Sequence, residues 1–253
     1  MYTAFAYSNL AYQGTVRKVL GLLRRIINFG VGKQLCQPLN WTIKLPKPDP
    51  DSERIEVLTD EQFQQLNEVW GNYYDKHIVH LHQLIAWTGS RPSEALKLLW
   101  EDINFPMGTF TKRDTKSGKS QVFRMNQRVR AILQAQRELL DESVEYMQTS
   151  QFVFPGPLGR QRKSDSYLQH FRRIRDLAGI PKNFRPNYCL RDTIATRLLS
   201  SGLSLDEVAH QLGHTPGSPM TRRYARFLAS AQQNIADRSQ SVMDEMLGQT
   251  KSE

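Results

Sequence analysis

Cysteine is scarce: Cys36 and Cys189 are the only two in 253 residues. They lie far apart and neither belongs to a CxxC, so the sequence supports neither a zinc ribbon nor a disulfide framework. A reducing, cytoplasmic setting fits. No run of about 18 apolar residues occurs, so no membrane span is predicted. The opening MYTAFAYSNLAYQG has no basic segment leading into an apolar stretch and does not read as a secretory signal. Internal repeats, low-complexity tracts and the HExxH pattern are also missing. Acid is in short supply as well, with 25 Asp and Glu against 34 Lys and Arg, a net charge of +9. An excess of that size suggests an anionic partner, nucleic acid above all. The plainer alternative is a basic protein kept soluble by its charge.

What is present is helical periodicity. Val16, Val19, Leu20, Leu23, Ile26 and Ile27 predict a helix over 16–29, with Arg17, Lys18, Arg24 and Arg25 supplying charge. Such a helix could also rest on a membrane surface, but its pattern continues into an ordinary domain edge. Residues 43–56, IKLPKPDPDSERIE, hold three prolines and seven charged residues and read as an extended linker. Beyond it, Thr59 and Gln62 form a capping box for a helix through about Trp70. A second helix spans 76–88 and stops at Gly89. A third begins at Ser90 or Arg91, with Pro92 in its first turn, and is expected to bury Ala95, Leu96 and Leu99. Residues 109–125 break the period and predict two short strands around Ser117-Gly118. Helices follow near 127–140, 165–178, 188–200 and 205–212, the last opened by a Ser204–Glu207 capping box. The tail 229–247 reads as helical and carries Ile235, Val242, Met243 and Met246. The fold class is therefore mainly α with a small antiparallel β-sheet.

Four stretches carry chemistry. In TGSRPSEALKLLW, Arg91 sits where a helix begins, the end at which the dipole disfavours a cation. A job at a binding site explains that placement, and so does an ion pair with Glu94. In DTKSGKS, Lys116 and Lys119 flank the glycine of a turn; they reach a phosphate or groove, or are solvated turn lysines. In YCLRDTIATRLLSSGLSLDEVAHQLGH, Arg191 repeats the placement of Arg91, 100 residues later. Two guanidiniums at helix N-termini are suited to clamp one phosphate. The stretch HQLGHTPGSPMTRRYAR then sets Tyr224 among three arginines, where its phenol is a core plug, a phosphate contact or a nucleophile.

Over about residues 57–228 the set resembles the catalytic domain of the tyrosine recombinase (phage integrase) family. TGSRPSEAL is similar to the family's first box and TKSGK to its β-hairpin lysine. LRDTIATRLLSSG followed by LGH is similar to its second box, and RRYA to its nucleophile segment. The stretch 16–47 is similar to the end of the family's core-binding domain. The resemblance implies a partial helical DNA-clamp segment over 1–45, a linker over 46–56, and a catalytic domain with a helical tail over 57–253.

It further implies that Arg91 and Arg191 bind the scissile phosphate, supported by Glu94. Lys116 would protonate the leaving 5′-oxygen, His214 would bond the phosphate or aid the nucleophile, and Tyr224 would attack. Lys119, Arg172, Arg173, Arg222 and Arg223 would contact DNA. No metal and no other cofactor is implied, since cationic side chains meet the phosphate charge. The implied partner is double-stranded DNA, held by a homotetramer on two duplexes, with 229–247 passed to a neighbour. No membrane is implied, and the setting would be the cytoplasm of a bacterium, with a bacterial or phage-encoded gene. The activity would be site-specific recombination or integration of a mobile element through a 3′-phosphotyrosyl intermediate. A DNA-binding relative with weakened catalysis, a type IB topoisomerase or a telomere resolvase are the alternatives.

Two positions depart from the family. Tyr188 stands where a histidine usually precedes the second arginine by three residues, and a phenol is a poor general base. Tyr224 follows His214 by ten residues, where nine is more usual. Other readings of the same chain are weaker. His210 and His214 have the i,i+4 spacing of a zinc pair, but Gly213 ends the helix between them. His77, His80 and His82 face more than one side of a helix and read as satisfied or half-exposed. SLDEVAHQLG resembles the first half of a helix-turn-helix, into whose second half Pro216 and Pro219 intrude. Trp87 and Trp100 read as core.

Overall fold

The computed structural model describes residues 10–46, 54–113, 120–185, 188–214, 217–224, 239–244 and 246–247. The chain divides into two compact units, Met1–Arg54 and Ile55–Glu253. Among the described residues no helix is long and apolar enough to cross a membrane.

The first unit is built on α1 (Leu10–Gly32), which extends the predicted 16–29 helix at both ends. Val19, Leu22, Leu23, Ile26 and Phe29 of α1 are exposed. After Gly32 the chain turns back, and Pro38, Leu39 and Trp41 line a groove of about 460 Å³ with Ile27 and Val31.

In the second unit, Ile55 and Glu56, read from sequence as the end of the linker, already belong to the compact body. Glu56 is buried. The helix α2 (Asp60–Asn72) starts at the expected capping box: Gln62 N–H donates to Thr59 Oγ1 at 3.2 Å, and Thr59 N–H to Gln62 Oε1 at 3.0 Å. Next comes α3 (Lys76–Thr88), the buried centre of the unit, packed against neighbours on several sides. Its last turn ends at Gly89 (φ 64°), whose N–H reaches Ile85 O. Glycine is required there twice over, because the backbone is left-handed and a Cβ would lie 2.6 Å from Leu212 Cδ2.

The helix expected after Gly89 is a single turn, α4 (Pro92–Ala95). Ala95 and Leu96 are buried as predicted, but Leu98 takes the core position and Leu99 is only half-buried. The reason is pairing: the chain straightens and Leu99 forms a β-bridge with Phe152. The sheet has three strands rather than two, β1 (Ile103–Asn104), β2 (Thr109–Lys112) and β3 (Gln121–Arg124), antiparallel in that order. Phe110 pairs with Phe123 and Lys112 with Gln121. Alternation along β2 buries Phe110 and Lys112 on one face. The turn itself lies outside the described residues.

Next are α5 (Gln127–Asp141), the short α6 (Glu145–Gln148) and α7 (Ser164–Leu177). Then come α8 (Cys189–Ser200), α9 (Leu205–Leu212) and the single turn α10 (Pro219–Arg222). The sequence predicted all but α6 and α10. In the interior, α3 packs on α5 and α8, α2 on α7, and α8 on α9. His77 and His80 of α3 each bond to Gln136 of α5 at 2.9 Å, while His82 is enclosed by the rings of Tyr167 and Phe171. Trp87 departs from its predicted core place and is 38% exposed. Residues 239–244 are helical, with Val242, Met243 and Met246 exposed; Ile235 lies outside the described residues.

Candidate active site

Arg191 is the third residue of α8, and its side chain explains how a cation tolerates that helix end. It is buried and donates to Gly89 O, and through Nη2 to Leu212 O at 2.8 Å. Those carbonyls belong to the C-terminal ends of α3 and α9, so two negative helix ends face one guanidinium. Nη2 also lies 2.7 Å from His214 Nε2. Three of the five N–H groups are used in this way. Burial, then the nearby charge of Arg91, lowers the pKa of Arg191 to about 10.

Arg91 precedes α4 and is fixed by Glu94, whose carboxylate accepts from the Arg91 backbone N–H at 3.1 Å and from Nη1 at 2.7 Å. The ion pair and the possibility of a ligand role therefore coexist, because the Arg91 side chain keeps 22% exposure. Beside it, Arg91, Pro92, Ser93, Ser164, Tyr167 and Tyr188 line a cleft of about 130 Å³. Tyr188 is exposed, with the guanidinium of Arg185 5.3 Å from its ring centroid. A phenol thus stands at the rim of the cleft that Arg91 also lines.

His214 follows the left-handed Gly213 that closes α9. An arginine only donates, so His214 Nε2 accepts from Arg191, and the ring proton sits on Nδ1, which donates to Thr221 Oγ1 at 2.8 Å. Burial and then Arg191 and Arg91 push its pKa down to about 3, and it is neutral at ordinary pH.

Tyr224 is 2% exposed. Its hydroxyl donates to Asp192 Oδ1 at 2.5 Å. Asp192 also accepts from Arg223 Nη2 at 2.9 and 3.0 Å, and from the Glu56 N–H at 3.3 Å. Burial, followed by the charge of Asp192, raises the phenol pKa above its ordinary value. Tyr224 lies near enough to Arg191 for the guanidinium charge to favour its phenolate form, against the larger opposing effects of burial and Asp192.

Lys112 was not anticipated. It is buried on the inner face of β2, its Nζ has no hydrogen-bond partner among the described residues, and it lies 3.9 Å from the centroid of the Phe123 ring. Burial first, opposed by Glu94 and aided by Arg191 and Arg91, lowers its pKa to about 7. A lysine at a buried strand position, alternating with Phe110, was the available signal. Lys116 and Lys119, singled out from the sequence, lie outside the described residues. Asp192 and Thr221 were missed too, since no spacing rule links residue 192 to 224 or 214 to 221. Arg172 and Arg173 are exposed on α7, with Arg173 5.5 Å from the centroid of the Tyr74 ring. Arg222 is exposed, and Arg223 is turned to Asp192.

The structure therefore gathers Arg91, Arg191, His214 and Tyr224 from separate helix ends into one electrostatic neighbourhood and adds Lys112 to it. Two guanidiniums and an amine near one another suit the stabilisation of an oxyanion, and the Tyr224 phenol lies near one of them, Arg191.

Comparison with known proteins gives a consistent picture. The model of the phage integrase family matches residues 56–230. An integrase/recombinase of Escherichia coli is 27% identical over 222 residues, covering 74% of this chain and 64% of that protein. The chain thus spans less than two thirds of that relative's length. The tyrosine recombinase XerD of Staphylococcus saprophyticus is 28% identical over 216 residues, covering 83% of this chain and 71% of XerD. Among solved structures, the Tn1549 transposon integrase in complex with circular intermediate DNA superposes with a TM-score of 0.65 at 17% identity, covering 84% of this chain and 74% of that one; this likeness is one of fold.

Proposed function

Because the chain belongs to the phage integrase family, we propose that it cuts and rejoins DNA at specific sites, with Tyr224 as nucleophile. The carrying observation is the joint placement of Arg91 and Arg191. They start different helices, the charge of Arg91 acts on Arg191 and on His214, and Arg191 bonds His214 and lies near Tyr224. A phosphodiester set among them would have its developing equatorial charge met by two guanidiniums, each contact contributing a few kcal/mol in a water-poor site.

In this reading the Tyr224 oxygen gives up its proton to solvent and bonds to phosphorus as the P–O5′ bond breaks. A lysine amine, Lys116 by family position, protonates the departing oxygen. A phenol of pKa ~10 is a weak nucleophile at neutral pH, so charge stabilisation and leaving-group protonation carry the rate. The bond energy is kept in the 3′-phosphotyrosine, which allows rejoining without ATP. Lys112 adds buried positive charge to the pocket, and Glu94 holds Arg91. Arg172, Arg173, Arg222, Arg223 and Lys119 serve the DNA backbone. The partner is double-stranded DNA, the working form a homotetramer on two duplexes, and the setting the cytoplasm of a bacterium. The net charge of +9 supports an anionic partner.

A nicked suicide substrate tests this reading. A covalent, denaturant-stable adduct that forms with the wild-type protein and vanishes in Tyr224→Phe supports it. Absence of adduct on DNA that the protein binds, across a panel of flanking sequences, refutes it.

A further inference from the structure

A nucleophile poised for attack presents its oxygen to the phosphate. Tyr224 does the opposite: its hydroxyl is bonded to the carboxylate of Asp192, and the residue is 2% exposed. Arg191 and Asp192 are consecutive in α8, so their side chains leave the helix about 100° apart. The phenol is therefore tied to the neighbouring face of α8, not to the guanidinium that would hold the phosphate. The tie is reinforced. Arg223, adjacent to Tyr224, donates to both oxygens of the same carboxylate, and its guanidinium lies 5.1 Å from the Tyr224 ring centroid. Glu56 N–H donates to Oδ2, which holds the carboxylate in place from the start of the unit. Burial opposes phenolate formation first, and the anion against the phenol adds to it.

We propose that Asp192 is an autoinhibitory latch: it holds Tyr224 and Arg223 in a resting arrangement from which the phenol must be released before it can attack. This rests on the assignment of Tyr224 as nucleophile. The latch predicts that the carboxylate slows the first chemical step. An alternative positioning role, with Asp192 aiming the phenol or taking its proton, predicts the reverse.

Single-turnover adduct formation on a nicked suicide duplex, at saturating DNA, separates the two. Asp192→Asn keeps the shape but removes the charge that strengthens the bond, and adduct should form about tenfold faster or more. Adduct formation at an unchanged or lower rate overturns the latch. Because Asp192 is buried, a second measurement avoids the question of folding. Tyr224→Phe deletes only the hydroxyl, and amide hydrogen exchange without DNA should speed up by about tenfold across 220–224. Unchanged exchange there overturns the latch. This second readout involves no cleavage. A protein that forms no adduct at all but shows faster exchange in Tyr224→Phe therefore contradicts the proposed activity and leaves the hold on the phenol standing.

Discussion

Arg191 Nη2 lies 2.7 Å from His214 Nε2 and donates to Leu212 O at 2.8 Å, so one buried nitrogen joins the second candidate arginine to the histidine and to the helix that precedes it. Arg191→Ala would strip donors from Gly89 O, Leu212 O and the imidazole together. It should lower unfolding free energy by about 3 kcal/mol or more in urea titrations, since each orphaned buried acceptor costs on the order of 1–3 kcal/mol. Cleavage should fall by about three orders of magnitude. Arg91→Ala should lose cleavage comparably with a much smaller stability change, because its partner Glu94 is local and its side chain is partly exposed. Equal stability losses in the two variants would contradict this division.

Lys112 carries the reverse expectation. Its amine is buried without a hydrogen-bond partner among the described residues, so Lys112→Met removes a poorly solvated polar group at similar volume. The variant should be as stable as the parent or more so, by about 1 kcal/mol, and yet cleave more slowly. A destabilised variant with intact cleavage would count against any place for Lys112 in the pocket.

The pH dependence of stability follows from His214 and His82, both lowered to about 3, the latter by burial. Their unfolded values are the ordinary ~6.5. Between these limits the unfolded chain binds more protons than the folded one, so stability is full above ~6.5 and is lost as pH falls toward ~3. Among the described residues His82 has no hydrogen-bond partner on either ring nitrogen. His82→Leu should therefore flatten the decline of the urea midpoint between neutral and acidic pH without lowering the midpoint at neutrality.

Gly89→Ala places a Cβ 2.6 Å from Leu212 Cδ2 and 3.0 Å from Ile194 Cγ2, at a φ of +64°. The strain should cost about 1–3 kcal/mol of stability. The same shift displaces the carbonyl that Arg191 is bonded to, so cleavage should fall beyond what the loss of folded protein explains. Activity corrected for folded fraction is the quantity to compare.

If the partner is DNA, the log of the binding constant should fall linearly with log salt concentration. Arg172→Ala and Arg173→Ala, on the exposed face of α7, should each reduce the slope by about one. A flat salt response in the parent would argue against a nucleic-acid partner.

Much of the scaffold was legible because its signals are local. The Thr59–Gln62 and Ser204–Glu207 boxes and the glycines at 89 and 213 act within one helical turn, and each stands where expected. Elements without a local signal escaped. Two-residue β1 has no period to read, and α4 stops early because Leu99 finds a distant partner in Phe152. The same holds at the site. Placement against the helix dipole drew notice to Arg91 and Arg191, whereas the two helix C-termini that stabilise Arg191 are brought to it only by the fold. Asp192 carries no local signal, because its bond to Tyr224 spans 32 positions.

The anchoring of Glu56 has a practical corollary for anyone trimming the protein. Its carboxylate receives the Arg185 backbone N–H and guanidinium, its own N–H reaches Asp192, and Leu58 N–H reaches Thr193 Oγ1 at 2.9 Å. A recombinant piece begun a few residues later, at the capping box of α2, would shed the strap that ties the approach to α8 in place. A minimal expression boundary belongs upstream of Ile55.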